Sequence, residues 1–252
     1  MKVSIITVCF NSEKYIRTAI ESVVSQTYHD IEYIIIDGGS TDRTIEIIKS
    51  YGNKISKLIS ESDSGIYDAM NKGIKLATGD IIGVVNSDDL LAQNTSIEMV
   101  VDTFKNTSAD SVYTDLYYVK RDDTNKIMRY WRTGKYEMNL FKKGWHPAHA
   151  AFYVKRNIFM KYGLLDTDFL IAADFEMIIR FLGRYKISSH YLHQVVAKMR
   201  LGGVSSQNLR NIFKGNKECI RAFHKNNIDV SYLYPIYRIA SKLFQYVDKN
   251  EE

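Results

Sequence analysis

Short runs of β-branched residues alternate with helical patterns along the first 90 residues of this 252-residue chain. Such runs are typical of buried strands, and four are predicted, over 3–9, 31–36, 55–60 and 81–85. Helices are predicted after Ser12, over about 44–51 and over 66–76. This alternation predicts a mostly parallel α/β sheet with right-handed crossovers and flanking helices, a Rossmann-like arrangement. The pattern GxGxxG is absent, so the usual mode of dinucleotide binding is not expected.

The pattern changes after Leu90. Helices are predicted over about 95–104, 154–162 and 174–182, and strands over 111–119 and 190–199, with a hairpin turn at 120–126. The glycine-rich stretch 202–206 is predicted to be a loop, and two helical segments follow it.

Composition narrows the class of protein. Hydrophobic residues make up 45% of the chain and charged residues 25%, which is ordinary for a globular protein. The two cysteines, Cys9 and Cys219, lie far apart and fit neither a disulfide scaffold nor a zinc site. The first strand starts close to Met1, and no apolar run is long enough to span a membrane. We therefore expect a cytoplasmic protein, at most peripheral on the inner face of the plasma membrane.

Two adjacent carboxylates, Asp88 and Asp89, follow the fourth predicted strand. In open α/β sheets, ligands bind beyond the carboxyl ends of the strands. Neighbouring carboxylates repel each other unless a cation or a set of donors compensates their charge. The pair therefore indicates a divalent metal ion with a polyphosphate. An aspartate that caps the next helix is the alternative.

A series of motifs runs along the chain, at 7–15, 37–42, 63–73, 86–89, 149–154, 172–177 with Arg180, and 202–205. This series resembles the family 2 glycosyltransferases of the GT-A fold, which invert the anomeric centre and use nucleotide-sugar donors. The resemblance is greatest to enzymes that build bacterial capsule, exopolysaccharide and lipopolysaccharide units. It implies a GT-A domain over 1–206, with a nucleotide-binding half (1–90) and an acceptor half (91–206). A helical C-terminal extension over 207–252 follows.

The resemblance also implies donor-side roles. Asp89 would bind Mn²⁺ or Mg²⁺ directly, and Asp88 would contact the ribose or a metal-bound water. Asp37 matches a position that accepts a hydrogen bond from uracil, which favours a UDP-sugar. Further nucleotide-sugar contacts are implied for Thr7, Asn11, Asp63, Lys72, His149 and Arg200.

Several of these residues have simpler structural interpretations. Lys72 could be a solvent-facing helix charge, and His149 a buried histidine with satisfied hydrogen bonds. Arg200 and the 202–206 loop are expected either to close over the diphosphate or to form a plain surface turn. Asp42 is expected to cap a helix, while Tyr67 and Asp68 are left between packing and binding.

Inverting transfer requires a carboxylate on the acceptor side of the anomeric carbon. In the family, a Glu-Asp pair begins a helix there and its second member is the base. This chain has Ala173-Asp174, so Asp174 alone matches the base. An acid that stabilises the first turn of a helix is the alternative. Glu176 is expected to support the site rather than react.

The predicted function is metal-dependent, inverting transfer of a sugar to a glycan or lipid-linked acceptor in surface polysaccharide synthesis. A nucleotidyltransferase and a non-catalytic nucleotide-sugar-binding domain are the alternatives. No nucleic acid is expected as a partner, and a homodimer is left open. Neither the sugar nor the linkage follows from the sequence.

The C-terminal segment mixes aromatic and cationic residues, which suits a helix at an anionic membrane surface. Packing on the catalytic domain and a dimer interface are the alternatives. The residues concerned are Tyr232, Tyr234, Tyr237, Arg238, Lys242, Leu243, Phe244, Tyr246, Val247 and Lys249.

Overall fold

One nine-stranded sheet organises the residues described by the computed structural model, which are 1–202 and 209–247, with the backbone alone described for Leu209 and 241–247. The strands are β1 Val3–Cys9, β2 Ile31–Asp37, β3 Lys57–Ser60, β4 Ile81–Val84, β5 Leu90–Leu91, β6 Ser111–Lys120, β7 Asp123–Trp131, β8 Phe152–Lys155 and β9 Ser189–Arg200. Their order is β3-β2-β1-β4-β8-β6-β9-β5, and β7 pairs with β6.

Helices cover both faces of this sheet. The α-helices are α1 Ile16–Val24, α2 Thr44–Lys49, α3 Ile66–Leu76, α4 Ser96–Thr107, α5 Met138–Lys142, α6 Arg156–Tyr162, α7 Ala173–Ile179, α8 Leu209–Lys225 and α9 Tyr234–Val247. Short 3₁₀ turns occur at Gly52–Lys54 and His149–Ala151, and a π-helical turn at Arg180–Arg184. The sheet with helices on its two faces confirms the predicted α/β class.

The first four strands are parallel, as the alternation predicted. Alternate residues of β1 and β2 point to opposite faces because side chains in a strand alternate. Ile6 and Ile36 pack on one face with Met70 of α3, and Ile5 packs on the other face with Ile20 of α1. Both faces of these strands are buried, which explains why their sequences are continuous apolar runs.

The second half departs from the predicted elements in two places. Val154 was predicted to be helical but lies in β8, which is antiparallel to both β4 and β6. Four residues between two partners carry little helix or strand periodicity of their own, so the pairing decides their conformation. The 120–126 turn was also predicted too long, since Lys120 already pairs with Asp123. The polar residues there belong to a strand exposed to solvent.

The two C-terminal helices pack against α7. The rings of Phe175, Phe223 and Tyr234 form a buried cluster, with centroids of Phe175 and Phe223 5.5 Å apart and of Phe223 and Tyr234 5.0 Å apart. No helix within the described residues is long and apolar enough to cross a membrane. Most of the predicted 202–206 loop, from residue 203 onward, lies outside the described residues, as does Lys249.

Candidate active site

The acidic pair lies where β4 ends at the carboxyl edge of the parallel strands. Asp89 is only 3% exposed, and its Oδ2 lies 3.4 Å from the Asn86 amide nitrogen. Burial raises the pKa of Asp89 to about 7, and the charge of Asp88 adds to that shift. The hydrogen bonds from the Asn86 amide and the Arg200 backbone N–H offset this shift only in part. A cation at this place would stabilise its charged form.

A histidine links this acidic pair to the predicted base. The side-chain amide of Asn86 donates to His149 Nε2 over 3.0 Å, and His149 Nδ1 lies 3.0 Å from Asp174 Oδ2. Because Nε2 accepts from Asn86, the proton of the neutral ring sits on Nδ1 and is donated to Asp174. Asp89, Asn86, His149 and Asp174 therefore form one hydrogen-bonded series.

Asp174 lies in the first turn of α7, where its Oδ1 accepts from the Phe175 backbone N–H at 2.8 Å. Burial opposes ionisation, yet the hydrogen bond and charge of His149 lower the pKa of Asp174 to about 2. Burial likewise opposes protonation of His149, but Asp174 raises the pKa of His149 above its usual value. The Asp174 side chain remains 24% exposed, so an ionised carboxylate faces the site and can be reached.

Two residues of this arrangement carried no predicted role. Asn86 lies two positions before the acidic pair, within the matching segment 86–89, and that place in the motif was the available signal. Tyr67, which was left unassigned, is buried with its hydroxyl 2.7 Å from the Ile171 carbonyl and 3.3 Å from Asp174 Oδ1. Tyr67 therefore helps to hold the candidate base, Asp174, in position. No local pattern indicates this contact, which joins positions 107 residues apart.

On the predicted donor side, Asp37 and Asp63 lie in different environments. Asp37 is fully buried, and its carboxylate accepts from the backbone N–H groups of Gly39 and Ser40 and from the hydroxyls of Ser40 and Ser60. Burial opposes ionisation, but these hydrogen bonds lower the pKa of Asp37. The oxygens of Asp37 thus hold the loop after β2, and its predicted contact with uracil stays a prediction.

The carboxylate of Asp63 occupies the space beside Gly38 in this loop. A Cβ atom at Gly38 would lie 2.6 Å from Asp63 Oδ2, so glycine at that position makes room for the carboxylate. The other oxygen, Oδ1, accepts from the backbone N–H of Gly65 at 2.8 Å. Asp63 is half-buried, which makes it the better candidate to meet a ligand beside β2.

Three other predicted donor contacts serve the scaffold. Thr7 is fully buried and donates to the Val85 carbonyl over 2.7 Å, so it reaches no ligand. Asn11 Oδ1 accepts from the backbone N–H of Thr41 at 2.9 Å, which joins the loops after β1 and β2. Lys72 forms an ion pair with Glu61 at 2.9 Å at the half-exposed side of α3. Donor contacts of Asn11 and Lys72 stay predictions.

Three neighbouring acids make structural contacts, as was expected of Asp42 and Glu176, whereas Asp68 had been left between packing and binding. Asp42 Oδ1 accepts from the backbone N–H of Thr44, the first residue of α2, at 3.0 Å. Asp68 accepts from the backbone N–H of Ser64 at 3.1 Å, just before α3. Glu176 is buried in α7, with its Oε1 3.2 Å from Arg180 Nε. Glu176 thus stabilises α7, the helix that carries Asp174, from its buried side.

Arg200 was predicted to contact the nucleotide-sugar and to close over a diphosphate, and that role stays a prediction. Arg200 is 5% exposed, and its guanidinium donates to the Asp88 carbonyl at 2.7 Å and to Thr18 Oγ1 at 2.8 Å. It also lies 4.9 Å from the ring centroid of Tyr15, as does the guanidinium of Arg121. Arg200 is thus a fixed support for the backbone of the acidic pair.

The arrangement defines a class of enzyme, and comparisons with known proteins place the chain within it. Residues 1–349 of Staphylococcus aureus TarS in complex with UDP-GlcNAc superpose with a TM-score of 0.68 at 17% identity, covering 99% of this chain and 73% of that one. A mannosyltransferase of Pyrobaculum calidifontis in complex with GDP-Man and Mn²⁺ gives 0.66 at 16% identity, covering 99% and 70%. The fold is that of the GT-A glycosyltransferases.

The sequence model of glycosyl transferase family 2 matches residues 4–163, and the chain belongs to that family. A PGL/p-HBAD biosynthesis glycosyltransferase of Mycobacterium bovis is 29% identical over 208 residues, which cover 81% of this chain and 78% of that protein. The choice left open by the sequence between a glycosyltransferase, a nucleotidyltransferase and a non-catalytic domain is thereby decided for the glycosyltransferase.

Proposed function

We propose that this glycosyltransferase carries out metal-dependent, inverting transfer of a sugar from a nucleoside-diphosphate donor to a glycan or lipid-linked acceptor. The observation that carries the proposal is the series Asp89, Asn86, His149 and Asp174. It couples a buried carboxylate at the donor side to an ionised carboxylate at the acceptor side through contacts of 3.4 Å (Asn86–Asp89), 3.0 Å (Asn86–His149) and 3.0 Å (His149–Asp174).

The residues at the end of β4 suit a divalent cation shared with the donor. The described residues contain no group of three or more histidine, cysteine or acidic side chains that could hold a metal ion alone. Mn²⁺ and Mg²⁺ commonly take one or two protein carboxylates and complete their shell with phosphate oxygens and water. Asp89 would be the protein ligand, with Asp88 beside it. The bound cation would neutralise charge developing on the leaving diphosphate.

Asp174 would act as the general base. As the acceptor oxygen bonds to the anomeric carbon, the bond from that carbon to the diphosphate oxygen breaks, and its electron pair leaves with the nucleoside diphosphate. Asp174 takes the proton from the acceptor hydroxyl, so charge balances on both sides of the sugar. Attack opposite the leaving group inverts the anomeric configuration.

The nucleobase of the donor would be recognised beside β2. Asp63 offers a half-buried carboxylate there, with Gly38 leaving room for it. A carboxylate that accepts from a pyrimidine N–H favours a UDP-sugar. The two structural relatives above were crystallised with UDP-GlcNAc and with GDP-Man, so they do not select a base for this chain.

A cytoplasmic location and a role in surface polysaccharide synthesis complete the proposal. Both cysteines are buried, and neither is in a disulfide, which suits a reducing compartment. The acceptor would be a saccharide, free or lipid-linked, presented at the inner face of the membrane. This part of the proposal is supported by the resemblance to capsule and lipopolysaccharide enzymes.

The first prediction tests metal use through Asp89. In a thermal-shift panel of UDP-, GDP- and dTDP-sugars, the matching donor should raise the melting temperature of the wild type only when Mn²⁺ is present. Asp89→Asn should abolish that Mn²⁺-dependent shift and the transfer activity. Asp102→Asn, which alters an exposed acid on α4, is the matched control and should behave as wild type.

Product analysis by NMR completes the test. The anomeric configuration of the transferred sugar should be opposite to that of the donor. Retention of configuration, or full activity of Asp89→Asn in excess EDTA, would contradict the proposal.

A further inference from the structure

Exposed apolar side chains are concentrated in the C-terminal helices. Of the 14 large hydrophobic residues that are exposed among the described residues, seven lie between 212 and 239. We call this set the C-terminal patch: Ile212, Phe213, Tyr232, Leu233, Ile236, Tyr237 and Ile239. An exposed apolar patch of this kind marks a surface that meets a partner or a membrane.

The two faces of α9 have opposite environments. Tyr234 is fully buried against Phe223 and Phe175, and Arg238 donates to Asn216 of α8 over 2.8 Å. Ile236 and Ile239 lie on the other side of the helix and are 62% and 51% exposed. The inner face therefore anchors α9 to the fold, while the outer face stays uncovered. Packing and membrane contact had both been left open for the C-terminal residues. Of these residues, Tyr234 and Arg238 pack on the fold.

Exposed cations lie on α8 and next to α9, the two helices of the patch. Residues 209–247 contain seven lysines and arginines and two acidic residues. Arg210 and Lys217 of α8 are exposed, and the Lys217 ammonium lies 5.3 Å from the ring centroid of Phe213. Lys143 is also exposed, and the adjoining Gly144 contacts the backbone of Arg238. Apolar and aromatic side chains next to exposed cations complement an anionic lipid surface.

We infer that the C-terminal patch docks the protein on an anionic membrane surface. The inner face of α9 packs on Phe175, the residue after Asp174, so docking would hold the candidate base close to the lipid headgroups. This last step rests on the proposed function, since it places a lipid-linked acceptor beside the base. The docking itself depends only on the patch and its charges.

Vesicle co-sedimentation with the full chain tests the inference. Wild type should pellet with vesicles of phosphatidylglycerol and phosphatidylcholine at low ionic strength, and much less with phosphatidylcholine alone or at high salt. Ile236→Ser should weaken partitioning by roughly tenfold, and Ile236→Ser with Ile239→Ser further, because each removes an aliphatic side chain from the bilayer. Met160→Ser is the matched control, since Met160 is 50% exposed on α6 outside the patch.

Charge is tested separately. Replacing Lys143, Arg210 and Lys217 by Gln should reduce pelleting with anionic vesicles severalfold, since each cation near the surface contributes about 1 kcal/mol. The same replacement of Lys49, Lys54 and Lys75, which are exposed on the nucleotide-binding half, should leave pelleting unchanged.

Other outcomes would overturn the inference. Absence of pelleting by wild type, or equal pelleting of the patch variants, removes membrane docking. A dimer seen by light scattering that Ile236→Ser dissolves, without any vesicle binding, assigns the patch to a second copy. Donor hydrolysis in vesicle-free buffer separates the two proposals: it should be normal in Ile236→Ser, and its absence in wild type would count against the enzyme function rather than the docking.

Discussion

At the scale of single residues, His149 is the side chain that connects the two halves of the candidate site. Its ring contacts Asp174 through Nδ1 and Asn86 through Nε2, each at 3.0 Å. Fixing the imidazole at both nitrogens fixes its tautomer and orients the Asp174 carboxylate. The hydrogen bond from His149 also stabilises the charged form of that carboxylate, which its partial burial would otherwise disfavour.

The second prediction concerns Asp174 itself. Asp174→Asn keeps the shape of the side chain but cannot accept the acceptor proton. Turnover should fall by roughly 10²–10⁴ while nucleotide affinity changes by no more than a few fold. Single-turnover kinetics and calorimetry measure the two quantities. Asp168→Asn, at an exposed acid in the loop before α7, is the control. A loss confined to nucleotide affinity would place Asp174 on the donor side instead.

The third prediction uses the pKa shift of Asp174. His149→Asn removes the contact that holds this pKa at about 2, so the pKa rises toward or above about 4, the ordinary value for aspartate. The base must be deprotonated to act, and activity is therefore lost as pH falls through its pKa. The acid limb of the kcat profile should move to higher pH in the variant. An unchanged limb with uniformly lower kcat would indicate a purely structural contact.

At the scale of elements, the close approach of α3 to the sheet positions the loop that carries Asp63. Gly73 lies on the buried face of α3, and a Cβ atom there would lie 2.5 Å from Ile6 Cγ2 of β1. The helix can sit this near to β1 and β2 only because the residue has no side chain. The spacing of helix and strand thus depends on a single glycine.

The fourth prediction follows from that contact. Gly73→Ala should lower the free energy of unfolding by about 1–3 kcal/mol through overpacking, despite the better helix propensity of alanine. Urea denaturation measures the change. Lys75→Ala, at an exposed position of the same helix, should stay within about 0.5 kcal/mol of wild type. Equal stability of Gly73→Ala and wild type would show that α3 can shift without cost.

At the scale of the whole molecule, helices α8 and α9 of the C-terminal extension are part of the packed fold. Tyr234 reaches from α9 into the ring cluster beside α7, where its ring lies next to those of Phe175 and Phe223. Glu218 of α8 accepts from the backbone N–H groups of Leu170, Ile171 and Ala172, immediately before the helix of Asp174. Both contacts stabilise the segment that presents the candidate base.

The fifth prediction measures that contribution. Tyr234→Ala empties a fully buried position and should lower the free energy of unfolding by about 3–5 kcal/mol. Tyr232→Ala, at a tyrosine that is 91% exposed, should change it by less than about 0.5 kcal/mol. Thermal and urea unfolding give both values. Independent melting of the C-terminal helices, with the remainder unaffected by Tyr234→Ala, would show that they form a separate unit.

The sequence alone determined the order of β1 to β4 and of the helices between them. Their apolar runs are long and uninterrupted, so local pattern and final burial agree. It also placed Asp88 and Asp89 at a strand end, because a polar pair after an apolar run marks the edge of a sheet. The family resemblance added Asp174 and the GT-A fold, and the family and the fold are confirmed.

Only the tertiary structure decided which of these side chains meet. Asn86 and His149 are 63 positions apart, and Tyr67 and Asp174 are 107 apart, so their contacts depend on strand order and helix packing. The same holds for Thr7 and Asp37, whose motifs match a binding site but whose side chains are buried and already hydrogen-bonded. A local pattern specifies where the chain turns and which face is apolar. It does not specify which distant group will satisfy a buried polar atom, since that partner is supplied by the folded chain as a whole.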